Sequence, residues 1–223
     1  MTNLIKHYLL HNLEEVLAKS LMNCHCIGLH SIMLSDVPGR RIRLFIADGN
    51  HEMWKNHFTG DGDELMSVGF HAHHCDITLD VICGEITNWV IAEIPIEDTK
   101  KLQHIKSQLD PGILNAYRYT SAITTGEMEI KDVGLSGYFE CKKYTSHVHY
   151  GAAFMKANEI HTVYVEADKV AAWMVYEGKE DPDYLPYIYS ISKPEVLPLD
   201  TYYQPMSYSM LINLLRKIGY YSD

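Results

Sequence analysis

The sequence predicts a mainly β chain with a helix at each end. Three observations lead there. Residues 41–47 alternate, with Ile42, Leu44 and Ile46 on one face. An apolar run, Ile77 to Cys83, stops at Gly84 and is followed by a second strand-like run from Glu85 to Ile94. Apolar residues at helical spacing occur near the two termini.

Taken in order, residues 2–22 read as a helix. Thr2 is its cap, and Leu4, Ile5, Tyr8, Leu9, Leu13, Val16 and Leu17 form its apolar stripe. Val37-Pro38-Gly39 is a turn signal ahead of the strand at 41–47. Gly84, between two strand patterns, reads as the turn of a hairpin. Residues 98–108 read as a short helix and 110–116 as loop or turn, so that 95–126 forms an insertion or lid over one end of the β region. Strands resume at 135–146, 147–156, 160–166 and 170–177. The proline- and tyrosine-rich stretch 178–206 reads as an extended strap, with Tyr184, Tyr187, Tyr189, Tyr202 and Tyr203 offering area to bury. A final helix spans about 207–218, capped by Ser207 and stopped by Gly219, with Leu211, Leu214, Leu215 and Ile218 as its stripe.

Composition narrows the function classes. A formal charge of −10 disfavours a nucleic-acid backbone as main partner, because phosphate binding needs a basic surface. The small cluster Arg40, Arg41 and Arg43 reads as a solvated strand edge. No run approaches the ~18 apolar residues of a membrane helix, and Leu9-Leu10 is soon interrupted by His11, Glu14 and Glu15, unlike a secretory signal. Five cysteines, an odd number, then fit reduced thiols in a cytoplasm. Cys24-His25-Cys26 looks metal-like, but a structural zinc site needs four ligands and no second pair is present; buried small thiols at a helix end are the simpler account.

The chemistry concentrates in histidines. In Phe70-His71-Ala72-His73-His74-Cys75-Asp76, a strand would point His71 and His73 to the same face, where their imidazoles converge on one ion. A third ligand must come from elsewhere. His161 is the best candidate, since Val163 and Val165 share its strand face and mark it as inward-facing. Three neutral imidazoles suit Fe, Zn, Cu, Ni or Mn. His147 and His149 form a second H-x-H pair, which lines the site, supplies ligands in another register, or lies on an exposed strand face. Templates for a nucleophile elbow, a P-loop, a dinucleotide fold and an H-E-x-x-H metalloprotease are missing.

His71-x-His73 followed by an apolar strand ending at Gly84 resembles the first conserved motif of cupins, in particular small bacterial and phage cupins with the pattern H-x-H-P-W-D. His71, His73, Asp76 and Gly84 match it, and His74-Cys75 replaces Pro-Trp. Residues 157–163, carrying His161, and 172–178 resemble the second motif. The likeness spans residues 28–178 in pattern. It implies a cupin-like double-stranded β-helix, or jelly-roll, barrel over 28–178, preceded by an N-terminal helix (1–27) and followed by a strap and C-terminal helix (179–223) packed on the barrel. Many cupins add a Glu four or five positions after the second His; Ile77 and Thr78 stand there instead. The site is then a three-His centre resembling the thiol dioxygenase type. Asp76 joins as fourth ligand or base if the chain bulges after His73, and otherwise bonds nearby backbone N–H groups.

The resemblance implies one divalent metal, Fe(II) favoured over Zn, Mn or Ni, held by His71, His73 and His161, and an oxygenase-like, isomerase or hydrolase reaction on a small molecule. A non-enzymatic cupin that binds a small ligand or a protein, with a structural metal or none, is the alternative; without metal the histidines are polar lining. Homodimerisation fits the family; membrane and nucleic-acid partners do not fit this composition.

Overall fold

The computed structural model describes residues 8–9, 11–51, 69–95, 97, 110–120, 129–181, 183, 186–190 and 201–221. The chain is mainly β, with two antiparallel sheets and two short helices.

The first sheet contains β1 (Leu21–Met22), β2 (Leu29–Val37), β3 (Arg40–Asp48), β5 (Ile77–Cys83), β9 (Ala152–Met155), β11 (Val170–Glu177) and β13 (Gln204–Pro205), in the order β13-β1-β2-β3-β11-β5-β9. The second closes into a ring of β4 (Phe70–His71), β12 (Ile188–Ser190), β7 (Gly112–Thr120), β8 (Glu129–Val148), β6 (Glu85–Ile94) and β10 (Ile160–Tyr164). Helices α1 (Leu13–Lys19) and α2 (Tyr208–Lys217) complete the described elements.

Period two explains the layering. On β11, Ala171, Trp173 and Val175 belong to one apolar cluster with Leu79 and Val81, while Ala172 and Met174 belong to another with α2. On β3, Leu44 and Ile46 pack on the helix side, and Phe45 and Ala47 face the other way. The helix side is closed by Leu211, Leu214 and Leu215 of α2, each buried, and full burial of a leucine stabilises by about 1.5–3 kcal/mol. Ser207 caps α2 by accepting from Met210 N–H at 3.2 Å. Gly219, at φ 74°, ends it, with Tyr220 N–H returning to Leu215 O at 2.7 Å.

Several sequence expectations change. The N-terminal helix ends at Lys19 instead of residue 22, because Ser20 donates its hydroxyl to Val16 O at 2.5 Å and accepts Met33 N–H at 3.0 Å, turning Leu21-Met22 into the first sheet. Gly84 does not turn a hairpin. Both edges of β5 are taken by β11 and β9, both edges of β6 by β10 and β8, so the chain crosses between sheets there. Gly84 has φ +69°, and a Cβ would lie 2.3 Å from Val170 O. Residues 112–120, expected as loop at their start, form a ring strand whose Leu114 and Ala116 are buried; Pro111-Gly112 marks the strand's entry, and Gly112 takes φ 76°. The expected break near residue 146 is absent, since β8 runs unbroken for 20 residues and pairs with both β6 and β7. The strap contributes the strands β12 and β13. The expected helix at 98–108 and Tyr184 lie outside the described residues. Among the described residues, no helix is long and apolar enough to cross a membrane.

Candidate metal centre

Register assembles the histidines. β4 pairs antiparallel with β10 so that His71 and His161 are direct cross-strand partners. His73 lies just beyond β4, fixed by its N–H to Ala157 O at 2.9 Å. The ligand-capable nitrogens of His71, His73 and His161 all lie within 4.8 Å of one another. Nε2 of His73 and Nε2 of His161 are 2.9 Å apart. Two neutral imidazoles at that separation share one proton, the proton a cation would displace.

Outer contacts set the tautomers. His161 Nδ1–H donates to Asn88 Oδ1 at 2.8 Å, and His71 Nδ1–H donates to Gly69 O at 2.9 Å. Both rings therefore carry their proton on Nδ1 and turn the Nε2 lone pair to the cluster. Asn88, on β6, is itself buried and donates Nδ2–H to Met155 Sδ at 3.3 Å. Burial holds the His71 imidazole below its usual range. Burial, then its neighbours His71, His74 and His25, pushes His73 down to about 2. Burial, then His71 and His73, holds His161 far below the usual imidazole range. Near neutral pH all three are uncharged, as metal ligation requires.

The triad forms part of the wall of a cavity of about 340 Å³ between the two sheets. Opposite walls carry Ile77, Leu79 and Val175, and the rings of Phe45 and Trp173, stacked at 5.7 Å between centroids and 11° between planes. Its polar groups include Arg43, Glu177, His25 and Tyr203. Arg43 sits on β3 between β2 and β11, so the arginine cluster is no strand edge; its Nε donates to Glu177 Oε1 at 3.0 Å, and Arg41 Nε donates to Asp36 at 2.8 Å.

The structure brings His71, His73 and His161 together and leaves the other candidates apart. Asp76 is exposed, and its Oδ1 accepts Ala157 N–H at 2.9 Å. Since Ala157 O receives the His73 N–H, Asp76 braces the segment that carries His73. His147, on β8, pairs with Ile86 of β6, four residues from Val90, the partner of His161, and His149 follows in the turn after the strand. Cys24 is buried beside the cavity with its thiol pushed up to about 12 by burial, so it stays protonated. Sequence reasoning missed Asn88. Its signal was an amide, next to Thr87, inside a strand that is otherwise apolar from Ile86 to Ile91, a position where an unbonded polar group is costly.

No family model and no curated protein matches the sequence. Among solved structures, hydroxypropylphosphonic acid epoxidase from S. wedmorenis is similar at a TM-score of 0.34 and 10% identity, over 71% of this chain and 53% of that one. The chain thus spans about half the length of that structure, and the likeness is too slight to assign a fold family.

Proposed function

We propose that this chain is a metal-dependent, cupin-type enzyme acting on a small molecule, with one divalent ion, Fe(II) favoured, held by His71, His73 and His161. The observation that carries the reading is the convergence of three neutral imidazoles, two with Nδ1–H fixed by Asn88 and Gly69, on the wall of a cavity about 340 Å³ in volume. Two antiparallel sheets enclosing such a cavity fit the jelly-roll barrel that the H-x-H motif implies.

The donor set fits a borderline first-row ion, because imidazole nitrogen suits Fe, Zn, Ni and Mn alike. Three protein ligands leave coordination positions open, and the ion supplies Lewis acidity or, as iron, redox capacity. The chain's own residues do the rest. Asn88 and the Gly69 carbonyl hold two rings in one tautomer and orientation. Ile77, Leu79, Val163 and Val175 exclude water from one side of the site and fix the ligand's position.

One observation favours the alternative, a non-enzymatic barrel with a structural metal: no carboxylate joins the described triad, and Asp76 is engaged with Ala157. The enzyme and the structural-metal form of the alternative both require metal, whereas a ligand- or protein-binding barrel needs none, and elemental mass spectrometry separates these. Protein purified without chelator or affinity tag should carry near-stoichiometric metal, and the His71→Ala and His161→Ala variants should lose it. Wild type that stays metal-free after anaerobic reconstitution with Fe(II), Zn(II) and Mn(II) removes the metal reading. Loading raises the melting temperature in either case, because any ion that binds the folded state alone stabilises it by about 2.7 kcal/mol at a hundredfold excess over Kd; only the enzymatic reading also requires turnover to disappear with the metal in His71→Ala and His161→Ala.

A further inference from the structure

The cavity holds a second polar pole besides the triad, and the backbone there is strained. Five described non-glycine residues have positive φ, and three of them meet at this place: Asn23 (51°), His25 (72°) and Tyr203 (55°). Asn and His enter the left-handed region more readily than other side-chain-bearing residues, so Tyr203 is the unusual member, and its conformation points to a position where side-chain aim matters. Cross-links hold it. Asn23 Nδ2–H donates to Thr201 O at 2.9 Å, Tyr203 N–H donates to Asn23 O at 3.3 Å, and the Tyr203 hydroxyl meets His25 Nδ1 at 2.9 Å. The two rings stand at 88° with centroids 5.7 Å apart.

His25, Tyr203 and Arg43 line the same cavity as the triad. In the tautomer whose Nδ1 accepts the Tyr203 hydroxyl, the ring proton sits on Nε2, which has no partner among the described residues. Glu177 holds Arg43 through Nε at 3.0 Å, and among the described residues Nη1 has only a long 3.5 Å contact with Ser31 Oγ. The Nη edge of the guanidinium is the part shaped for a two-oxygen anion.

We propose that the cavity takes a small organic acid, its carboxylate between the Arg43 Nη edge and His25 Nε2–H, its apolar or aromatic body against Phe45 and Trp173, and its far end at the triad. This rests on the reading of the cavity as a small-molecule site and names the ligand class. The volume, about 340 Å³, lies at the lower end of the ~300–1,000 Å³ usual for such sites, which limits the acid to one ring or a short branched chain.

Calorimetric titration of the full chain tests this with benzoate, 3-phenylpropionate and isovalerate against the corresponding uncharged amides, on chelator-stripped and metal-loaded protein. At least one acid should bind the stripped protein about tenfold or more tighter than its amide, because a charge-assisted hydrogen bond contributes roughly 1.5–3 kcal/mol. Arg43→Lys and His25→Gln should each weaken the acid by about tenfold and leave the amide unchanged. No binding of any acid, equal binding of acid and amide, or unaltered acid affinity in both variants would overturn the proposal. An acid that binds only the loaded protein also overturns it, yet leaves the metal reading standing. Acid binding by a chain that takes up no metal supports the pole and removes the metal reading. The acid–amide comparison uses wild type, so it decides even where a variant fails to fold.

Discussion

Asn88 and His161 are diagonal neighbours across β6 and β10, and Asn88 Oδ1 accepts the His161 Nδ1–H at 2.8 Å. The pair makes the ring's tautomer a consequence of sheet register. Without that acceptor, Nδ1–H would be buried and unbonded, and the ring would be free to present the wrong nitrogen. Asn88→Leu, which keeps the branched shape and the number of side-chain heavy atoms, should lower metal affinity by about 10- to 100-fold. Competition against a chromophoric chelator measures this directly. An unchanged affinity would show that packing alone orients His161.

Gly84 sets the crossing between sheets. Gly84→Ala places a Cβ 2.3 Å from Val170 O in a residue at φ +69°. The conformational part alone costs about 1–2 kcal/mol, and the backbone clash adds to it, so the loss should exceed about 2 kcal/mol in urea unfolding. Gly134, also left-handed at φ +72° but with nothing within 4 Å of a built Cβ, is the control. Its alanine variant should lose only the conformational part. Equal losses at the two positions would mean that the chain relaxes around residue 84.

Acid should weaken the fold through Asp48. Burial alone would raise its carboxyl, but the His30 ring, the Asn50 N–H at 2.8 Å and Lys217 Nζ at 3.3 Å hold it well below the usual range. A carboxyl depressed in the folded state adds stability that is fully present above its unfolded value, about 3.9, and is lost as pH falls toward the folded value. Asp48→Asn should therefore be less stable than wild type at pH 7 by on the order of 1–2 kcal/mol. The gap should shrink steadily below about pH 4. Unfolding free energies from pH 2.5 to 7 check it, and a gap that does not change with pH would assign the loss to packing.

The legible parts were local. Alternation along β3 gave its two faces, because side chains on a strand take opposite sides whatever the sheet partner. The stripe, Ser207 and Gly219 gave α2, because capping and stopping act within one turn. The spacing His71-x-His73 and the valines beside His161 were enough to select the three residues whose nitrogens the fold gathers. The start of β7 was misread because turn residues dominate Asp110-Pro111-Gly112, and what makes the following residues a strand is pairing with β8 and β12.

By itself, then, the sequence determined the strand faces, the C-terminal helix and the histidines worth watching. Only the tertiary structure decided that β5 and β6 belong to different sheets, that His71 faces His161, that Asn88 fixes the ring between them, and that Arg43, His25 and Tyr203 share their cavity. Each of these depends on pairings between segments tens of residues or more apart. Such pairings are selected by the burial and hydrogen bonding of the whole assembly, which no short window of sequence contains.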